Sequence, residues 1–131
     1  MSEVYPSTWK KILLSELCSK VTDGTHHSPV NESEGDYLYV TAKNIKFWGL
    51  DISNMTFVSE EIHHQIYARC PVEYEDVLYI KDGVTTGLAA VNHLKEPFSM
   101  LSSVALLKPI RTVLNPYFLK NWLNSPVAFK L

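Results

Sequence analysis

The run Val77-Leu78-Tyr79-Ile80, framed by Glu75-Asp76 and Lys81, does most to restrict the fold. Side chains alternate across a strand, and this run is apolar on both faces. A strand without a polar face has to be covered on both sides, which predicts a central strand with neighbours and cover. The segment Asp82-Gly83-Val84-Thr85-Thr86-Gly87 follows as a glycine-bounded loop. Leu88 to Val91 and Val104 to Leu107 read as two more short strands, and residues 37–46 and 50–52 as strands further upstream.

The helical signals are fewer. Ser59 stands before Glu60-Glu61-Ile62-His63-His64-Gln65-Ile66-Tyr67-Ala68-Arg69, an N-cap with two acids in the electropositive first turn. Ile62 and Ile66 share a face there. Asn115-Pro116 opens a second helix, with Phe118, Leu119, Trp122 and Leu123 as its apolar stripe and Asn124-Ser125-Pro126 as its stop. Trp9 to Leu14 reads as a short extended or turn segment, and Ser15 to Cys18 as one helical turn. Trp9, Trp122, Phe118 and Leu123 are expected in the core. At 131 residues this makes one domain, residues 1–131. The fold class is α+β: strand-rich, a mixed or antiparallel curved sheet with a few flanking helices.

Bulk properties narrow the function classes. No apolar run reaches the roughly eighteen residues of a membrane span. The start, Met1-Ser2-Glu3-Val4-Tyr5-Pro6, lacks the basic and apolar regions of a signal peptide, which points to the cytoplasm. Cys18 and Cys70 match no ligand spacing and read as reduced and structural. The net charge is -2, unlike a free-standing DNA binder with its basic surface. The charge is uneven, with five Lys against nine acids up to residue 65 and seven Lys plus Arg against five acids beyond it. A nucleic-acid role would therefore rest on a local site and on affinity supplied by a partner.

Three stretches carry chemistry that suits a nucleic acid. In Tyr39-Val40-Thr41-Ala42-Lys43-Asn44-Ile45-Lys46 an apolar strand runs into lysines that can hold phosphate and an asparagine that can pair with adenine. Asn44 has an equally good structural reading, closing a turn onto the backbone. The loop Val21-Thr22-Asp23-Gly24-Thr25-His26-His27-Ser28-Pro29 offers hydroxyls and imidazoles. The Asp82–Gly87 loop offers Lys81, Thr85, Thr86 and free backbone donors, but lacks the Gly-Lys-Ser/Thr ending of a P-loop. The same glycines suit a tight connection between strands. The adjacent pairs His26-His27 and His63-His64 diverge in direction, so neither pair readily gives two ligands to one metal. One His from each pair with Asp23 or Glu61 would make a site only if the fold brought them together; the plain reading is surface polar residues. No serine lies in Gly-x-Ser-x-Gly, and the cluster Glu73, Glu75, Asp76 suits a solvated turn.

In order, the chain shows a Trp near the start with Leu14 and Leu17, the Asp23-Gly24-Thr25 loop, and Val40-Thr41-Ala42-Lys43-Asn44-Ile45 with Gly49-Leu50-Asp51-Ile52. Asp76-Val77-Leu78 with its Gly83-to-Gly87 loop and Asn115-Pro116-Tyr117…Leu123-Asn124-Ser125-Pro126 follow. This order resembles the target recognition domain of the DNA specificity subunit of type I restriction–modification systems, over nearly the whole chain. The resemblance implies a module without catalysis and without its own cofactor. It would read one half of a bipartite target in double-stranded DNA. It would work with a methyltransferase (modification) subunit that carries S-adenosylmethionine and, through the assembled complex, a restriction endonuclease subunit that uses ATP. A full subunit holds two such domains joined by long helices, so this chain looks like an N-terminal part or a single half. The family often has Gly before the Asp of the Asp-x-Leu strand, where this chain has Glu75.

The DNA-binding candidates are therefore Thr25, His26, His27, Ser28, Lys43, Asn44, Lys46, Arg69, Lys81, Thr85 and Thr86. Thr25, His26, His27, Ser28, Thr85 and Thr86 suit base reading, and Lys46, Arg69 and Lys81 suit phosphate. Asn44 and Ile45 are expected mainly to fix the strand-to-turn geometry. Two rival readings stay open: a metal-dependent hydrolase built on the His pairs, and a protein-interaction module that docks on a methyltransferase without touching DNA.

Overall fold

A computed structural model describes residues 12–126 and 128. Trp9, expected in the core, lies outside them. The elements in chain order are α1 (Leu14–Leu17), β1 (Cys18–Asp23), β2 (Tyr37–Val40), a 3-10 turn (Ala42–Asn44), β3 (Ile45–Lys46), β4 (Gly49–Leu50) and β5 (Thr56–Val58). Then come α2 (Glu60–Arg69), β6 (Val77–Ile80), β7 (Ala89–Val91), β8 (Ser99–Met100), β9 (Val104–Pro109) and α3 (Pro116–Leu123). The α+β class holds, with the strands divided among three sheets instead of one: β1-β9-β6-β7, β5-β2-β8, and the small pair β3-β4. Between these strands every pairing is antiparallel except β2 with β8, and the isolated Thr25–Leu101 bridge is also parallel.

β6 is central, as its two apolar faces require. It pairs β7 on one side and β9 on the other, and Val77, Leu78 and Ile80 are fully buried. One face packs with Val40, Ile45, Leu50, Val72, Phe98 and Met100; the other packs Val77, Ala89 and Leu107 under Leu119 of α3. The strand expected over residues 37–46 stops at Val40. Thr41 and Asn44 form a reciprocal cap that winds the chain into the 3-10 turn before β3. The following hairpin closes at Phe47-Trp48, whose side chains are exposed.

Both helix starts are capped as their sequences suggest. Ser59 Oγ accepts from the Ile62 amide, and Asn115 Oδ1 accepts from the amides of Tyr117 and Phe118. Two expectations fail at the side chains. Phe118 is 66% exposed, because Leu119 points at β7 and its neighbour points away. His63, read as a surface residue, is 2% exposed, with Tyr37 and Ser99 covering it. Both cysteines are free and buried, and burial pushes the Cys70 thiol up to about 11.

At Glu75 the backbone takes φ 67°, the left-handed region. A glycine reaches that region without strain, whereas a side chain costs roughly 1–2 kcal/mol. Arg111 Nη1 and Tyr117 Oη both donate to the Glu75 carboxylate at 3.0 Å, which ties the strained turn to α3. Beside it Lys108 Nζ donates to Asp76 at 2.6 Å and to Glu73 at 2.7 Å. The Glu73, Glu75, Asp76 cluster is thus an ion-paired turn, with Asp76 buried.

Candidate nucleic-acid interface

β1 and β6 both run antiparallel to β9, so they point the same way and end together. The loops that leave them, residues 24–36 and 81–88, therefore emerge at one end of the sheet, on either side of the start of β9. Hydrogen bonds weave them together there. The Gly24 amide donates to Val104 O, Thr25 N to Met100 O, and Ser102 N to Thr25 O, while Lys81 N donates to Ser103 O at 2.9 Å. The topology thus brings Thr25, His26, His27 and Ser28 to the same end as Lys81, Thr85 and Thr86, which sequence alone left sixty residues apart.

Gly24 is needed where it stands. A Cβ added to it would meet the Met100 carbonyl oxygen at 2.1 Å, so the chain crosses backbone against backbone at this point. The 81–88 loop is equally fixed. Gly87 N donates to Ile80 O at 2.8 Å, Leu88 N to Thr85 O at 3.1 Å, and Gly83 and Gly87 take φ of 123° and 102°. Behind it the Asn124 side chain bonds both backbone groups of Ala89 at 2.9 Å, acting as a strand mate for β7. Asn124 reads in the sequence only as a helix stop, and its partner is 35 residues away. Val84 stands fully exposed at the tip.

The polar groups at this end are pre-oriented. Thr86 Oγ1 donates to Gly83 O at 2.6 Å, which leaves the lone pairs of this exposed hydroxyl free to accept. Thr25 Oγ1 donates to His27 O at 3.1 Å, shaping its own loop. The His27 and Ser28 side chains are exposed. Lys81 Nζ lies 3.0 Å from Asp23 Oδ2, and Arg69 Nη1 and His26 Nε2 each lie 3.1 Å from Asp23 Oδ1. Arg69 also donates to Gly24 O. Partial burial pushes the Asp23 carboxyl up, but hydrogen bonds from Lys81, Arg69 and His26 outweigh it and hold the pKa below the usual carboxylate range. Sequence reasoning named Asp23 as part of a turn and as a possible metal ligand beside the histidines, not as a partner of Lys81 and Arg69. Its role depends on cations at positions 69 and 81, which no local pattern connects to it.

The remaining candidates are Asn44, Lys43 and Lys46. Asn44 is withdrawn as a DNA contact: it is 4% exposed, its Oδ1 accepts from Thr41 N at 3.0 Å, and its Nδ2 donates to Asp51 O. Lys43 and Lys46 are exposed, Lys43 in the 3-10 turn and Lys46 on the hairpin that Asn44 holds. That hairpin is anchored where Leu50 N donates to His93 Nδ1. His93 lies two residues past β7, whose end pairs the beginning of β6, so the anchor is at the end of the sheet opposite Lys81. Lys46 lies on this hairpin, whereas Lys43 follows Val40, whose carbonyl accepts from Leu101 N beside the Thr25–Leu101 bridge.

A metal centre finds no donor set. Among the described residues no three His, Cys, Asp or Glu side chains come together to hold an ion. His63 is stacked on Tyr37 at 3.7 Å, while His26 lies against Asp23. Among the described residues no helix is long and apolar enough to cross a membrane.

No protein-family model and no curated protein matches the chain. Among the solved structures that share its fold are the following two. One chain, from a structure described as the basis of complex assembly and conformational transition of the type I R-M system, aligns over 98% of this chain and 32% of its own length. Its TM-score is 0.64 and its identity 19%. The HsdS subunit from Thermoanaerobacter tengcongensis aligns over 92% of this chain and 28% of its own, with TM-score 0.64 and 17% identity. The chain spans about a third of the length of each neighbour.

Proposed function

We propose that this domain is a target recognition domain of a type I restriction–modification specificity subunit, which reads one half of a bipartite site in double-stranded DNA and does no catalysis itself. The observation that carries the reading is the convergence of the 24–36 and 81–88 loops at one end of the sheet, in a chain with the fold of an HsdS segment. Thr86 and His27 are exposed and offer acceptors and donors of the kind that base edges in the major groove present in return. Lys81 and Arg69 supply positive charge beside them, as phosphate requires. The net charge of -2 fits a domain whose remaining affinity comes from partners: a methyltransferase subunit and, through the assembled complex, a restriction subunit.

The test is DNA binding by the assembled complex. A target duplex is selected from a random-sequence pool by the wild-type complex and compared with a shuffled duplex. Thr86→Ala or His27→Ala should relax the choice at one base position, at about 1–3 kcal/mol of lost discrimination for a good contact. If target choice is unchanged by substitutions in both loops, the reading is wrong.

A further inference from the structure

Asp23 gathers three cationic or titratable side chains from three different elements. His26 comes from the first candidate loop, Lys81 from the root of the second, and Arg69 from the last turn of α2. Its neighbours Gly24 and Thr25 are bonded to the backbone of residues 100–104, so the carboxylate stands on a rigid base. The three partners remain about a third to two thirds exposed, whereas the Asp23 side chain is only 19% exposed. The carboxylate therefore lies beneath a layer of positive charge that faces solvent.

Resting on the DNA reading above, we propose that Asp23 is a specificity-determining positioning residue, which holds the two reading loops in register and also damps the attraction of this surface for phosphate in general. The two effects share one cause. A carboxylate that bonds Lys81 through Oδ2 and His26 through Oδ1 fixes the relative placement of the loops, since each is tied to one oxygen of the same group. The same negative charge offsets part of the field that Lys81 and Arg69 would otherwise present to any DNA backbone. Non-specific binding is almost wholly electrostatic, so offsetting that field lowers the affinity for every sequence alike, while the preference comes from the loop placement that lets base contacts form at the right site. A lone lysine or arginine at the same place would bind every sequence alike.

The consequence is unusual for the loss of one side chain: Asp23→Asn should bind DNA more tightly yet choose less well. In the assembled complex, affinity for the shuffled duplex should rise. The steepness of its log–log salt dependence should grow by about one to two, for the cations released. The preference for the selected duplex should fall by about tenfold, one good base contact's worth. Asp23→Glu keeps the charge and should keep the wild-type salt dependence. A thermal melt shows whether Asp23→Asn folds. If it does not, Lys81→Gln carries the test at an exposed position: the proposal expects the preference to fall along with the affinity, and equal weakening over all duplexes overturns it. If the wild-type complex prefers its selected duplex and Asp23→Asn changes neither preference nor salt dependence, the role of Asp23 is refuted and the DNA reading stands. If the wild-type complex shows no preference at all, the DNA reading falls and this inference with it.

Discussion

The His63 imidazole lies flat on the Tyr37 ring, with centroids 3.7 Å apart and planes 3° from parallel, and its Nδ1 shares a 2.8 Å hydrogen bond with Ser99 Oγ. This stack fastens α2 to the sheet of β5, β2 and β8. Burial lowers the His63 pKa, and the nearby His64 lowers it further.

A pH dependence follows from that shift. A histidine whose folded pKa is depressed is held neutral, so the unfolded chain takes up the proton more readily. Stability is full above the ordinary histidine value near 6.5, falls as pH drops below it, and levels off beneath the lowered folded value. His64, exposed and 3.3 Å from Glu60, and the Tyr37 and Tyr67 rings are the other titratable groups that face His63. His63→Phe should remove this decline and cost about 1–3 kcal/mol at pH 7, since the buried Ser99 hydroxyl loses its partner. Urea unfolding between pH 5 and 8 measures both; an unchanged slope in the variant contradicts the assignment.

Asn44 should behave as a folding residue. Asn44→Ala removes the reciprocal cap with Thr41 and the bond to Asp51 O, and leaves buried backbone groups unpaired. A loss of about 1–3 kcal/mol is expected in urea unfolding. Target choice of the assembled complex should be unaltered, and altered base preference in a folded Asn44→Ala complex would return Asn44 to the DNA surface.

Glu75 separates backbone strain from side-chain contact. Glu75→Gly relieves the left-handed conformation but loses the bonds to Arg111 and Tyr117, so the two effects should nearly cancel. Glu75→Val keeps the strain, loses the same bonds and adds β-branching. It should be less stable than Glu75→Gly by about 1–2 kcal/mol or more. Equal thermal stabilities for the two variants would show that the turn relaxes instead of holding φ at 67°.

Local physics made some of this molecule legible in its sequence. Val77 to Ile80 announces a central strand because neither face is polar, and Ser59 and Asn115 announce helix starts because their oxygens satisfy free amides. The glycines at 83 and 87 mark a tight loop and prove to need positive φ. What stayed hidden depends on partners distant in sequence. The turn-closing role of Asn44 is already one of its two readings from sequence, whereas Phe118 looks like core until Leu119 takes the side of α3 that faces β7. The candidate surface itself appears only when β9 pairs both β1 and β6. Asp23 is the clearest case, a turn residue by its neighbours and the centre of an ion-pair cluster by its contacts.

The proposed function requires that the end of the sheet bearing the 24–36 and 81–88 loops faces DNA. Cys18 and Cys70 are buried, and burial raises both thiol pKa values, so a single added cysteine can be labelled selectively. A photocrosslinker is placed through His27→Cys, Thr86→Cys or, as a control beyond the opposite end of β7, Lys95→Cys, and each assembled complex is irradiated on its selected duplex. Crosslinks are expected from positions 27 and 86, mapping to one half of the target, and none from position 95. Crosslinks from position 95 with silence at 27 and 86 would contradict it.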